Sequence, residues 1–216
     1  MLQTLVTGFG PFGNVVSNPT ERLLEHFAEE EVPGHTLTLC ALPTSFSRAM
    51  EHVKAHLEIG GQGGKPFDMV LMLGVATGSK NWRVERVGTN WDEASLPDID
   101  GELGSARPII PKAPETLAVS FPVETLVKAL NQARFPAIAS ESAGAYLCNH
   151  VLYRTLHLLQ TQNASVRAGF LHVPADEQTF KPGLTTAPIF PFAQQIEAVR
   201  VVLKALATHV QNETPS

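Results

Sequence analysis

Five short apolar runs rich in strand-forming residues, at 4–7, 36–42, 69–73, 137–139 and 168–173, alternate along this chain with five longer stretches of helical period, at 19–30, 47–57, 123–132, 143–159 and 192–210. A short strand that is apolar on both faces must be covered on both faces. Strand and helix in alternation put the helices on the two sides of a sheet whose strands run mostly parallel. The expected fold class is therefore α/β. More closely, it is a single-domain α/β/α sandwich around a twisted, mostly parallel mixed sheet, spanning residues 1–210 and followed by a polar tail at 211–216. Residues 84–116 break the alternation, because Pro97, Pro108, Pro111 and Pro114 fall there among glycines and charges. That segment reads as an excursion of short strands and loops, a candidate lid or oligomer contact.

The length of 216 residues suits one large core, and 16 Lys+Arg against 21 Asp+Glu give a mildly acidic chain of net charge −5. With no Lys/Arg cluster, neither nucleic acid nor an anionic membrane is the expected partner. A small or peptidic ligand fits better. Residues 1–7 lack the basic and apolar regions of a signal peptide and no apolar run is long enough to span a bilayer, so the cytoplasm is the expected location. Two cysteines, Cys40 and Cys148, are too few for a disulfide framework and suit a reducing compartment. C-x-x-C and H-E-x-x-H are both absent, and Asp98-Ile99-Asp100-Gly101-Glu102 carries only part of a calcium-loop pattern. No metal is expected.

Cys148 lies in Ala143-Gly144-Ala145-Tyr146-Leu147-Cys148-Asn149-His150, which reads as the opening of an amphipathic helix with Ser142 as N-cap and Cys148 in the second turn. The free N–H groups and positive dipole end of such a helix favour thiolate, the form that attacks carbonyl carbon. Against this stands the ordinary use of cysteine as a small buried hydrophobe. A reactive thiol needs a base. His150 is two residues further on, roughly 200° around the helix, and His157 also falls on the far side, so neither can serve. His172 can, because it closes the apolar run 168–171 just before Val173-Pro174 and so stands at a strand end. A carboxylate to orient it is available in Glu85, although pairing with Arg83 or Arg86 at the surface is the commoner fate of such a residue. The loop Gly8-Phe9-Gly10-Pro11-Phe12-Gly13 matches G-x-G-x-x-G, yet the next helix signal, Asn18-Pro19-Thr20-Glu21, comes too late for pyrophosphate to sit on the helix start. Two phenylalanines in that loop suit a small apolar ring better, or else fold back into the core.

Taken together, residues 7–13 with Asn18-Pro19, Val84-Glu85-Arg86-Val87, Ala143-Gly144 ahead of Cys148-Asn149-His150, and Gly169-Phe170-Leu171-His172-Val173-Pro174 resemble the pyroglutamyl peptidase I (pyrrolidone-carboxylate peptidase) family. The resemblance runs over nearly the whole chain. It implies a cofactor-free cytosolic cysteine exopeptidase that removes N-terminal pyroglutamate from peptides through a thioester acyl-enzyme. Cys148 is then the nucleophile, His172 the base and acid, and Glu85 the residue that orients His172. Phe9 and Phe12 flank the pyrrolidone ring, Asn18 shapes the pocket, and Val75 contacts the lactam. A homo-oligomer, dimer or tetramer, is also implied. Many bacterial members of that family carry Gln where this chain has Val75 and Arg where it has Ser95. The alternatives from other classes are a nucleotide-binding or non-catalytic α/β module, and a relative acting on another lactam or amide.

Overall fold

A computed structural model describes residues 1–104, 106–183 and 188–213. Its strands are β1 (Leu2–Phe9), β2 (His35–Leu42), β3 (Met69–Ala76), β4 (Trp82–Glu85), β5 (Val87–Thr89), β6 (Thr116–Ala118), β7 (Ala137–Ser140) and β8 (Arg167–Pro174). The helices are α1 (Pro19–Ala28), α2 (Ala49–Ile59), α3 (Val123–Gln132), α4 (Leu147–Thr161) and α5 (Phe192–Glu213). Six strands form the main sheet in the order β2-β1-β3-β8-β4-β7. β2, β1, β3 and β8 are parallel, whereas β4 runs antiparallel to β8 and parallel to β7.

The apolar strands are covered as their composition requires. One face of the sheet packs Leu71, Leu73, Trp82 and Val84 against α1, α3 and α5 through Leu23, Phe27, Leu126, Leu130, Val199 and Val202. The other packs Val70, Met72 and Phe170 against α2 and α4 through Met50, Val53, Val151 and Leu152. The fold is the expected α/β/α sandwich with a mixed sheet.

The local boundaries differ from expectation in three places that bear on function. Residues 82–85 belong to the main sheet, so the excursion begins only at β5, which pairs with β6 as a separate two-stranded ribbon. β4 is too short and too polar to announce itself by periodicity, and its ladders with β8 and β7 are what fix it; β7, expected at 137–139, is observed at Ala137–Ser140. Helix α4 starts at Leu147 rather than near residue 143, because Gly144 takes φ +83° and its N–H is drawn to Ser142 Oγ at 3.2 Å. α5 continues to Glu213, so residues 211–213 of the expected tail are helical, while 214–216 lie outside the described residues.

The excursion is tied down along α4. Asn149 accepts from Thr89 N–H at 2.8 Å and donates to the carbonyls of Thr89 (2.8 Å) and Trp91 (3.0 Å). His150 Nδ1 pairs with Asp92 Oδ2 at 2.7 Å, and Tyr146 Oη donates to Pro97 O at 3.2 Å. The Asp98 carboxylate accepts from the N–H groups of Phe46, Asp100 and Glu102, and Asp100 pairs with Arg48.

Candidate active site

Cys148 is the second residue of α4, in the first turn rather than the second, and no side chain caps that helix. The N–H groups of Leu147, Cys148 and Asn149 therefore have no acceptor within the helix. Below them lies Gly74 of β3. A Cβ built on Gly74 would stand 2.9 Å from Cys148 Sγ and 2.7 Å from Phe170 Cζ, so the absent side chain is the space the sulfur and the ring occupy. Glycine within a strand marks such a close approach.

Gly74 and His172 are register partners on the parallel strands β3 and β8, which places the imidazole beside the sulfur. The Phe170 ring, two residues earlier on the same face of β8, lies 4.7 Å from the His172 ring. His172 is buried, and its Nδ1 is 2.7 Å from Glu85 Oε1. Glu85 is 0% exposed, and so it is not the surface carboxylate that its Arg-flanked sequence suggested. It reaches His172 because β4 descends antiparallel beside β8, with Arg83 opposite His172. Only the Arg83 contact survives of the expected pairings, Nε lying 3.4 Å from Glu85 Oε1, while Arg86 turns to Glu124 and Glu141.

Burial by itself would lower the His172 pKa. The charge and hydrogen bond of Cys148 and those of Glu85 outweigh it, and the imidazole is pushed up to about 9. With Nδ1 engaged by Glu85, Nε2 is the nitrogen left to Cys148. At neutral pH the ring is an imidazolium held between a sulfur and a buried carboxylate, an arrangement that can deliver a proton to a leaving amine.

These groups open onto a cavity of about 550 Å³ whose lining includes Phe12, Val75, Arg83, Ile138, Tyr146, Cys148 and His172. The Phe12 and Tyr146 rings are 5.9 Å apart. Val75 lines the cavity while its side chain packs with Val15, Ala175 and Phe180. Phe9 is placed differently from Phe12: it is 2% exposed, packs in the core with Leu42 and Phe46, and does not line the cavity. Asn18 lies buried under the loop, accepting from Thr20 N–H at 3.1 Å as the α1 cap and donating to Gly10 O at 3.0 Å. Ser95 is exposed on the excursion and away from the cavity lining.

A family model described as pyroglutamyl peptidase matches residues 2–209. The chain belongs to the pyroglutamyl peptidase family. It is 35% identical over 207 residues to a pyrrolidone-carboxylate peptidase of Streptomyces coelicolor, covering 96% of this chain and 93% of that one. It is 33% identical over 218 residues to the pyrrolidone-carboxylate peptidase of Thermococcus litoralis, covering 99% and 96%. The solved structure of the Thermococcus litoralis pyrrolidone carboxyl peptidase superposes with a TM-score of 0.89 at 32% identity, over 99% of this chain and 97% of that one.

Sequence reasoning had no hold on several members of this site. Gly74 carries a signal, a lone glycine in an apolar strand, but that signal does not say what approaches the strand there. Tyr146 and Arg83 carried none, since only the packing of α4 and the β4–β8 pairing turn them toward the cavity. β7 runs antiparallel to β8, and the site lies over one face of β3, β8 and β4.

Proposed function

We propose that this chain is a cysteine exopeptidase that hydrolyses the N-terminal pyroglutamyl residue from peptides through a thioester acyl-enzyme. The observation that carries this reading is the line Cys148, His172, Glu85, with the imidazole held near pKa 9 between the sulfur and a fully buried carboxylate. The Cys148 thiolate attacks the pyroglutamyl carbonyl carbon. The oxyanion that forms takes hydrogen bonds from the free N–H groups at the start of α4. The C–N bond then breaks as His172 gives its proton to the departing amine. Water attacks the thioester, His172 takes the proton of that water, and pyroglutamate leaves with the thiolate restored.

Phe12 and Tyr146 provide apolar cover for the uncharged lactam. The Val75 side chain is committed to its own apolar cluster, so Val75 serves the lactam through its main chain, and a glutamine side chain is dispensable there. Phe9 supports the loop from the core side, and Asn18 holds the Gly10 carbonyl in place. A free α-ammonium in place of the lactam finds no counter-ion among the described residues of this apolar part of the cavity and is rejected by desolvation. Every step uses a group of the chain itself, so the reading calls for no cofactor or metal.

The same reading includes a cytoplasmic homo-oligomer, dimer or tetramer. Both cysteines are free thiols, and Trp91, Leu96, Ile99 and Leu103 present exposed apolar side chains on the excursion. Sedimentation at micromolar concentration giving only the 23.3 kDa mass would remove the oligomer. Among the described residues no helix is long and apolar enough to cross a membrane.

The test of the reaction is release of a fluorogenic amine from its pyroglutamyl amide, with the prolyl and glutamyl amides as controls, before and after iodoacetamide. The expected result is turnover of the pyroglutamyl amide alone, abolished by alkylation mapped to Cys148 and absent in Cys148→Ser. Near-normal turnover by Cys148→Ser would sink the proposal.

A further inference from the structure

The cavity is larger than a five-membered ring needs, and it is chemically uneven from end to end. Across the sheet its lining runs from Phe12 and Val75, on the β1 and β3 side, past His172 on β8 to Arg83 on β4 and Ile138 on β7. If the lactam occupies the aromatic end, the departing amine lies on the far side of Cys148, where His172 must meet it. Arg83 is on the strand next to His172 and directly opposite it, two strands beyond β3, or about 10 Å at the usual strand spacing. The residue that follows pyroglutamate in a substrate spans that distance, since an extended residue covers about 3.5 Å before its side chain is counted.

The guanidinium is fixed and still has capacity. Nε and Nη2 bind Ser140 Oγ at 3.3 and 2.7 Å, Nη2 also donates to Ser142 O, and Nη1 makes no hydrogen bond among the described residues. The side chain is 29% exposed and lines the cavity. Its carboxylate neighbour, Glu85, is wholly buried behind it and is shared with His172. Among the described residues no Asp or Glu is part of the lining, so apart from the Cys148–His172 pair the only formal charge that these residues turn toward a bound substrate is the positive one of Arg83. Ile138 is register partner of Arg83 on β7 and is 45% exposed, giving the same end an apolar floor for the stem of a side chain.

We infer that Arg83 forms a carboxylate-recognising subsite for the residue that follows pyroglutamate, on the strength of a fixed guanidinium whose Nη1 has no hydrogen-bond partner among the described residues, at the leaving-group end of a cavity that those residues line with no acid. The inference rests on the function proposed above. The carboxylate can come from two sources, an acidic side chain in that residue or the C-terminus of a pyroglutamyl dipeptide. A partly exposed charge-assisted contact gives a preference of roughly three- to tenfold.

The experiment compares kcat/KM of the wild type on matched pairs that differ only in charge. Pyroglutamyl-glutamate amide is set against pyroglutamyl-glutamine amide for the side chain, and pyroglutamyl-alanine against its C-terminal amide for the dipeptide. The expected result is an acid-to-amide ratio above about three in at least one pair, reduced by 0.5 M NaCl as screening requires. The ratio should collapse to one in Arg83→Gln and be partly kept in Arg83→Lys. Because each ratio is taken within one protein, any change in overall turnover caused by losing the Glu85 contact cancels. Ratios of one in both pairs in the wild type, or a ratio that survives Arg83→Gln, would overturn the inference while leaving the peptidase reading intact. Failure to cleave any pyroglutamyl substrate would overturn both. Should Arg83→Gln not fold, the wild-type ratios and their salt dependence still decide the matter.

Discussion

Gly74→Ala tests whether the sulfur must sit where the structure puts it. The new methyl carbon would lie 2.9 Å from Cys148 Sγ and 2.7 and 2.9 Å from two carbons of the Phe170 ring. Carbon contacts settle at about 3.5–4.0 Å, and sulfur sits no closer, so one or both neighbours must give way by roughly 0.6–1 Å. Phe170 is 1% exposed in a packed core and cannot swing out, which leaves Cys148, at the start of its helix, to absorb much of the movement. A nucleophile misplaced by about 1 Å loses on the order of 10²-fold in rate, equivalent to about 2.7 kcal/mol of barrier. Overpacking beside Phe170 should also cost about 1–3 kcal/mol of stability, lowering Tm by about 2–4 °C for each kcal/mol in a chain of this size. The assay is kcat/KM on the fluorogenic pyroglutamyl amide, measured well below the melting temperature of the variant. A folded Gly74→Ala protein with kcat/KM within about threefold of wild type would refute the claim that this contact sets the position of the sulfur.

Replacing Glu85 by Gln removes an anion that raises the His172 pKa, and so moves that pKa below its value of about 9. The folded value is raised over the ordinary imidazole value of 6.5, so the contribution of this pair is complete below pH 6.5 and is lost as pH rises through about 9. The alkaline limb of kcat/KM should therefore fall near pH 9 in the wild type and at lower pH in Glu85→Gln; an unmoved limb would count against the assignment. Asn18→Ala removes the α1 cap and orphans the Gly10 carbonyl, for a loss of about 2 kcal/mol or more by thermal or denaturant unfolding, with KM rising as the Phe12 loop loosens. Equal stability would show that the cap does not anchor the loop. Asp92→Ala leaves His150 buried without a partner and frees one tie of the excursion, at a cost of about 1–3 kcal/mol. Limited proteolysis followed by mass spectrometry should show faster cleavage between residues 90 and 115, and an unchanged digestion rate would mean that this hydrogen bond does not hold that segment.

Much of the scaffold was legible because it depends on composition over windows of several residues. β3 is apolar throughout and β8 is apolar but for Arg167 and His172, and such strands have no stable place except the middle of a covered sheet. Asn18-Pro19 marked the start of α1 correctly, since cap chemistry is local and the Asn18 side chain reaches only two residues ahead. The observed start of α4 at Leu147 lies later than the sequence suggests because Ala143, Ala145 and Tyr146 fit a helix as well as they fit an extended approach. Gly144 in a left-handed conformation decides between them.

The sequence by itself determined the sandwich, the family, and Cys148 and His172 as the pair most worth testing. It also excluded His150 and His157 by helix periodicity, and His150 indeed faces Asp92 instead. What only the tertiary structure decided is the environment of each charge. Glu85 and Arg83 are two residues apart and look alike on paper, yet one is fully buried against His172 while the other lies open to the cavity. Phe9 and Phe12 differ in the same way, one packed in the core and one lining the site. The physical reason is that burial and register are set by which strands become neighbours. The antiparallel entry of β4 between β8 and β7 joins residues 83–85 to residues 138–140 and 170–172, and no pattern within any one of those segments encodes that pairing.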